Sequence, residues 1–125
     1  MKIIIFIGIG GASGSIIRYM IYQLSSRLIG IGYPIQTLIV NFIGCLLMGV
    51  LIHIFSTKLP VKEELKAFLT VGFLGGLTTF SAFSADFYDF FYKGNFFEAL
   101  LYILFSIIVS LFGVLLGVYI MKVFI

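Results

Sequence analysis

Charge is scarce in this sequence. Its 125 residues include 8 Lys or Arg and 5 Asp or Glu, so 10% are charged, against about 25% in soluble domains. Cysteine occurs once, as Cys45 in the middle of an apolar run. That excludes an intrachain disulfide, a CxxC pair and a cysteine-based metal cluster, and it leaves a small packing residue. No Ser/His/Asp set or pair of carboxylates falls within plausible reach, so no enzyme is expected. The net charge of +3 is modest, and basic residues near the ends of apolar runs orient a membrane protein rather than bind nucleic acid, so no nucleic acid partner is expected either.

Apolar residues are abundant instead: 62% of the chain is hydrophobic and its mean hydropathy is +1.23. Crossing a bilayer takes roughly 20 residues per helix, so the length allows one domain, residues 1–125, of about four spans. The apolar runs place these at 3–22, 34–56, 65–91 and 97–121. Pro34 suits a helix start, Thr57 to Lys66 is the one plainly polar connector, and Asp89 to Asn95 is a short turn. Lys2, an apolar run and the small residues from Gly10 to Ser15 look like a signal peptide. The apolar pattern resumes through Ile16, Ile17 and Met20 to Tyr22, however, so a retained first helix is expected. Four spans put Lys2, Lys58, Lys62, Lys66 and Lys122 on one side against Arg27 and Lys93 on the other. The margin favours cytoplasmic termini but is small enough to leave insertion in both orientations open.

The third span carries an unusual stretch, Gly72 to Asp86, read GFLGGLTTFSAFSAD. Paired glycines followed by paired threonines predict a helix broken near Gly75 to Thr78, and in a bilayer a break survives only where protein, water or an ion satisfies the freed backbone groups. Phe80 and Phe83 follow, three apart, with Ser81 and Ser84 on the adjoining face. On the second span Thr37 and Asn41 share a face with Cys45 and Gly49. An unsatisfied amide there costs on the order of 1–3 kcal/mol, so Asn41 either glues helices or lines a wet path. Tyr102, Ser106 and Ser110 form a stripe on the fourth span, either bonding back along their own helix or making a polar track. Arg18 would cost roughly 2.5–3.5 kcal/mol at the bilayer centre, so it snorkels, pairs or faces a water-filled vestibule. Glycines four apart at Gly10 and Gly14, Gly72 and Gly76, and Gly113 and Gly117 suit close helix packing. Amide and hydroxyl donors with positive ring edges describe an anion path better than a cation path. Four helices can hardly enclose such a path alone, so an oligomer is expected.

At these residues the sequence resembles a known family, the Fluc/CrcB fluoride channels. GGASGSIIRY in the first span, TLIVNFIGCLLMG in the second and GFLGGLTTFSAF in the third occur in that order, and the resemblance covers essentially the whole chain. It implies an all-α membrane protein of four transmembrane helices, paired as an antiparallel dual-topology homodimer in the bacterial plasma (inner) membrane, with two fluoride pathways at the interface. By motif position, Asn41 resembles the amide donor to fluoride, Phe80 and Phe83 the phenylalanines whose edges flank the ion, Ser110 the fourth-span hydroxyl, and Arg18 the arginine near the entrance. Thr37 and Ser81 are expected beside them on the path. The break resembles the site where a structural sodium ion is held by main-chain carbonyls, here those of Gly75 and Thr78 from both subunits. The chain departs from the family pattern at Ala82 (usually Thr), Asp86 (usually Glu), Leu46 (often Phe) and Cys45 (usually Ser). The expected function is passive fluoride export. One rival, a proton-coupled exporter of the small multidrug resistance type, needs a membrane-embedded carboxylate that the first span does not have. The other, a structural membrane subunit, has no use for aligned donors on three spans.

Overall fold

The computed structural model describes residues 1–30, 34–57 and 60–125, so Lys58, counted above among the charges of one side, lies outside the described residues. Four helices are long and apolar enough to cross a membrane: Lys2–Ile29, Ile35–Ser56, Glu63–Tyr92 and Phe96–Phe124. The first (α1), the second (α2) and the last (α6) are continuous. The third is composite. It comprises α3 (Glu63–Ala67), a π-helical segment (Phe68–Leu74), α4 (Gly75–Leu77) and α5 (Phe80–Tyr92), the last set off by two extended residues, Thr78 and Thr79.

α1 runs seven residues past Tyr22, where the apolar pattern fades. Its polar end is held by side chains: Gln23 Nε2 donates to Tyr19 Oη at 3.0 Å, and Gln36 Nε2 of α2 donates to Ser26 Oγ at 3.1 Å. The helix stops at Gly30, whose φ of 87° favours glycine. α5 ends in the same manner before Gly94, with φ 78°, inside the turn expected at Asp89 to Asn95.

Packing follows the glycines. α1 lies chiefly against the π-helical segment and α4, and α2 chiefly against α6. A Cβ on Gly14 would strike the carbonyl of Phe73 and the amide of Leu77, and one on Gly76 would strike the carbonyl of Gly11. Gly49 and Gly117 play the same part between α2 and α6, against the carbonyls of Val114 and Leu46. These are backbone-to-backbone crossings, which only residues without a side chain permit. The expected glycine pairs thus serve packing within the chain. The large side chains that are fully buried are Val40 and Leu77, the latter beside the Gly14 crossing. Most of the remaining apolar surface faces outward, as in a protein solvated by lipid.

The break falls at the far end of the stretch proposed from sequence. Gly75 and Gly76 stay helical because Gly76 is pressed against α1, while Thr78 and Thr79 take extended conformations, with ψ of 157° and 119°. Thr79 then starts α5 as its N-cap, its hydroxyl accepting from the amide of Ala82 at 3.1 Å. The break is docked by a neighbouring helix: the methyl of Thr78 occupies the space that a Cβ on Gly44 of α2 would need.

Candidate functional site

One turn before Gly44, Asn41 closes on the break. Its Oδ1 accepts from the amide of Thr79 at 2.8 Å and its Nδ2 donates to the carbonyl of the same residue at 3.1 Å. The side chain thus imitates a neighbouring backbone and pairs with both main-chain groups of Thr79. An amide carries two donor hydrogens, and the clamp uses one of them. The other remains for a ligand.

Asn41 also lines a cavity of about 230 Å³ together with Phe80, Phe83, Ser106, Ser110, Ile107 and Leu111. The rings of Phe80 and Phe83 are 5.3 Å apart and tilted by 48°. Ser106 is buried, and its hydroxyl has no hydrogen-bond partner among the described residues. Ser110 faces Cys45. The fourth-span hydroxyls therefore do not spend themselves along their own helix: Tyr102 donates across to Asp86 at 2.8 Å, and Ser106 is left facing the cavity. Phe80 opens α5, so the positive end of that helix lies at the cavity. The lining holds no carboxylate. Donors, ring edges and a helix N-terminus at one place suit a small anion.

Four residues expected on an anion path, Asn41, Phe80, Phe83 and Ser110, therefore meet at one cavity. Two others line a second cavity of about 460 Å³ with Ser15, Tyr19, Tyr22, Thr79 and Ala82: Arg18, which reaches the carbonyl of Thr78 at 3.4 Å, and Ser81, which pairs with the hydroxyl of Thr79 at 3.3 Å. Arg18 is half-buried and donates to a main-chain carbonyl, which is the pairing among the readings open to it. Thr37 lines neither cavity. It is 2% exposed and bonded to Tyr22 at 2.9 Å. Ser106, named from sequence only as part of a stripe, belongs with the first group.

The break also affects two carbonyls. In an unbroken helix the amide of Thr79 would bond Gly75 and that of Ala82 would bond Thr78. Here the first goes to Asn41 and the second to the Thr79 hydroxyl. Both carbonyls thus lose their helical donors: that of Thr78 accepts instead from Arg18 at 3.4 Å, and that of Gly75 lies on an exposed residue of the third span. No group of three or more His, Cys, Asp or Glu comes together among the described residues, so main-chain oxygens are the hard-cation ligands on offer there.

Residues 5–118 match the family model described as "CrcB-like protein, Camphor Resistance (CrcB)". The chain belongs to the CrcB family. Similar CrcB relatives include a protein of Rhizobium johnstonii, 40% identical over 118 residues that make up 94% of each chain. One of Vibrio campbellii is 39% identical over 94% of this chain and 92% of its own, and one of Agrobacterium fabrum is 40% identical over 91% of each. All three carry the name fluoride-specific ion channel FluC.

Proposed function

We propose that this chain is a fluoride channel of the bacterial plasma membrane, which lets fluoride leave the cytoplasm passively down its electrochemical gradient. The observation that carries the reading is the cavity joining the spare Asn41 donor, the Phe80 and Phe83 edges and the unpartnered Ser106 hydroxyl, with no carboxylate in its lining. The names of the CrcB relatives point the same way. Fluoride is small and strongly hydrated, so its path must replace water with donors while holding the ion weakly enough to release it. Ring edges meet the second need. Their field attracts an anion without the fixed charge that would trap it. Arg18 at the neighbouring cavity gathers anions from solution by its charge.

The path needs a second copy. Phe80 is 78% exposed in the single chain, although it lines the site, and the Gly75 carbonyl belongs to an exposed residue that would otherwise face lipid. An antiparallel homodimer covers both. It also gathers Gly75 and Thr78 of each subunit around one centre, where four main-chain oxygens suit a sodium ion. When bound, the cation supplies positive charge that ties the two breaks together. Replacing sodium in the buffer by a large organic cation is expected to lower the melting temperature of the purified dimer, and an unchanged melting temperature counts against that site.

Efflux from liposomes containing the purified protein tests the function. Fluoride should leave far faster than chloride, and no proton gradient should be needed. Equal rates for the two anions, or no flux at all, would overturn the reading.

A further inference from the structure

Aromatic side chains crowd the turn between the third and fourth spans. Tyr88, Phe91 and Tyr92 of α5 and Phe96 and Phe97 of α6 are all half or more exposed. They are held to one another: Tyr88 stacks on Tyr92 with ring centres 6.0 Å apart, and Phe91 meets Phe96 edge-on at 5.0 Å and 71°. The second contact joins two helices across the turn, so the rings mark a level of the molecule rather than the face of one helix. Further along α6 the exposed large side chains become mostly aliphatic, as at Leu100, Leu101, Leu104, Ile107, Ile108 and Leu111. A partner protein would seat along one helix face, whereas a bilayer selects a level shared by several helices.

Charge sits at the same level. Lys93 Nζ and Asp89 Oδ2 form an ion pair at 2.6 Å, with the two side chains 60% and 61% exposed, and neither charge belongs in hydrocarbon. The hydroxyls of Tyr88 and Tyr92 have no hydrogen-bond partner among the described residues. Exposed phenylalanines beside an exposed ion pair suit neither bulk water nor the bilayer core. The headgroup layer accommodates both, its acyl margin taking the rings and its wet side the charges and hydroxyls. Helix length gives the same depth. The break at Thr78 and Thr79 lies midway along the third span, Glu63–Tyr92. With the break at the bilayer midplane, the 13 residues of α5 rise about 20 Å, against about 15 Å for half of the hydrocarbon. The last turn of α5 then emerges among the headgroups.

We infer that the turn between α5 and α6 is a lipid-interface anchor: Tyr88, Phe91, Tyr92, Phe96 and Phe97 seat in the headgroup layer, which puts the break and its Asn41 clamp near the hydrocarbon midplane. The inference rests on the four spans and not on the ion they pass. The chain has no tryptophan, so Tyr92→Trp in phosphatidylcholine vesicles supplies one indole per subunit whose depth is read by fluorescence quenching. Lipid brominated near the headgroup is expected to quench it at least twofold more than lipid brominated near the chain end. Phe105→Trp, at an exposed position of α6 about 12 Å along the helix from Phe97, should show the reverse order. Equal or stronger quenching of Tyr92→Trp by the deep label overturns the inference, as does a shallow preference at Phe105→Trp. Quenching of Tyr92→Trp by aqueous iodide alone would put the turn in water, and protection from iodide and both lipids would put it under a second copy of the chain; either result also overturns it. Should Tyr92→Trp not yield a monodisperse protein, Phe97→Trp decides by the same criteria.

Discussion

Substituting Asn41→Asp exchanges one amide nitrogen for oxygen and leaves the shape of the side chain unchanged. The acceptor that meets the Thr79 amide at 2.8 Å is retained, while the donor that meets the Thr79 carbonyl at 3.1 Å is lost. The change leaves the Thr79 carbonyl facing a carboxylate oxygen, at a cost on the order of 1–3 kcal/mol of stability, which a helical bundle held by backbone crossings is expected to survive. The electrostatic change bears on the ion instead. For an anion passing about 5 Å from an ionised carboxylate at an effective dielectric constant of about 20, Coulomb repulsion is about 3 kcal/mol. Added to the barrier, that slows passage on the order of 100-fold, at about 1.4 kcal/mol per tenfold. The spare amide donor disappears as well, so the true loss is expected to be greater. Efflux measured with a fluoride electrode after opening potassium-loaded liposomes to a potassium ionophore gives the rate, and size-exclusion chromatography in detergent gives the assembly state. Fluoride efflux within threefold of wild type, from a protein that elutes normally, would refute the assignment of Asn41 to the path.

Other substitutions probe the same site from different sides. Phe80→Ile removes a ring edge from a residue that is 78% exposed in the single chain, so efflux should cease while expression and elution stay normal. Ser106→Ala deletes a buried hydroxyl without a partner among the described residues; thermal stability should hold or rise by up to about 1 kcal/mol, while fluoride efflux falls. The opposite pattern, lost stability with full flux, would make Ser106 a structural group. Gly44→Val fills the space of the Thr78 methyl, and overpacking of that kind costs about 1–3 kcal/mol. It should lower the melting temperature and abolish flux together, because it displaces the break that Asn41 clamps.

The four spans could be read from the sequence because lipid makes a simple demand: long apolar runs with few charges. Their ends were harder to read. The last turns of α1 are polar and are held by Gln23 and by Gln36 of another helix, a contact that no local pattern announces. The break was visible in its glycines and threonines, yet its place was decided elsewhere. Gly76 must remain helical to meet Gly11, and Thr79 is drawn out of the helix by Asn41, 38 residues earlier. Asn41 could be recognised as an amide in need of a partner. That its partner is a backbone segment of another span follows only from the fold. Thr37 illustrates the reverse: sharing a helical face with Asn41 suggested a common path, but four residues along that helix carry it to a different neighbour, Tyr22. Tyr22 itself gave no signal, since a tyrosine near a span end is unremarkable at a membrane interface.

The pairing of the helices bears on how the protein is made. α1 packs chiefly on residues 68–77, and α2 chiefly on α6. Neither of the first two helices therefore finds its main partner in the other. As the chain emerges from the ribosome in sequence order, α1 must wait for the third span, and α2 must wait for the last. Until then two apolar helices, each with bare glycines along one face, stand in the bilayer with their partners still untranslated. Synthesis thus commits the subunit to its final packing only at the end, and a truncation anywhere before Gly113 should leave α2 without the surface it was shaped to meet.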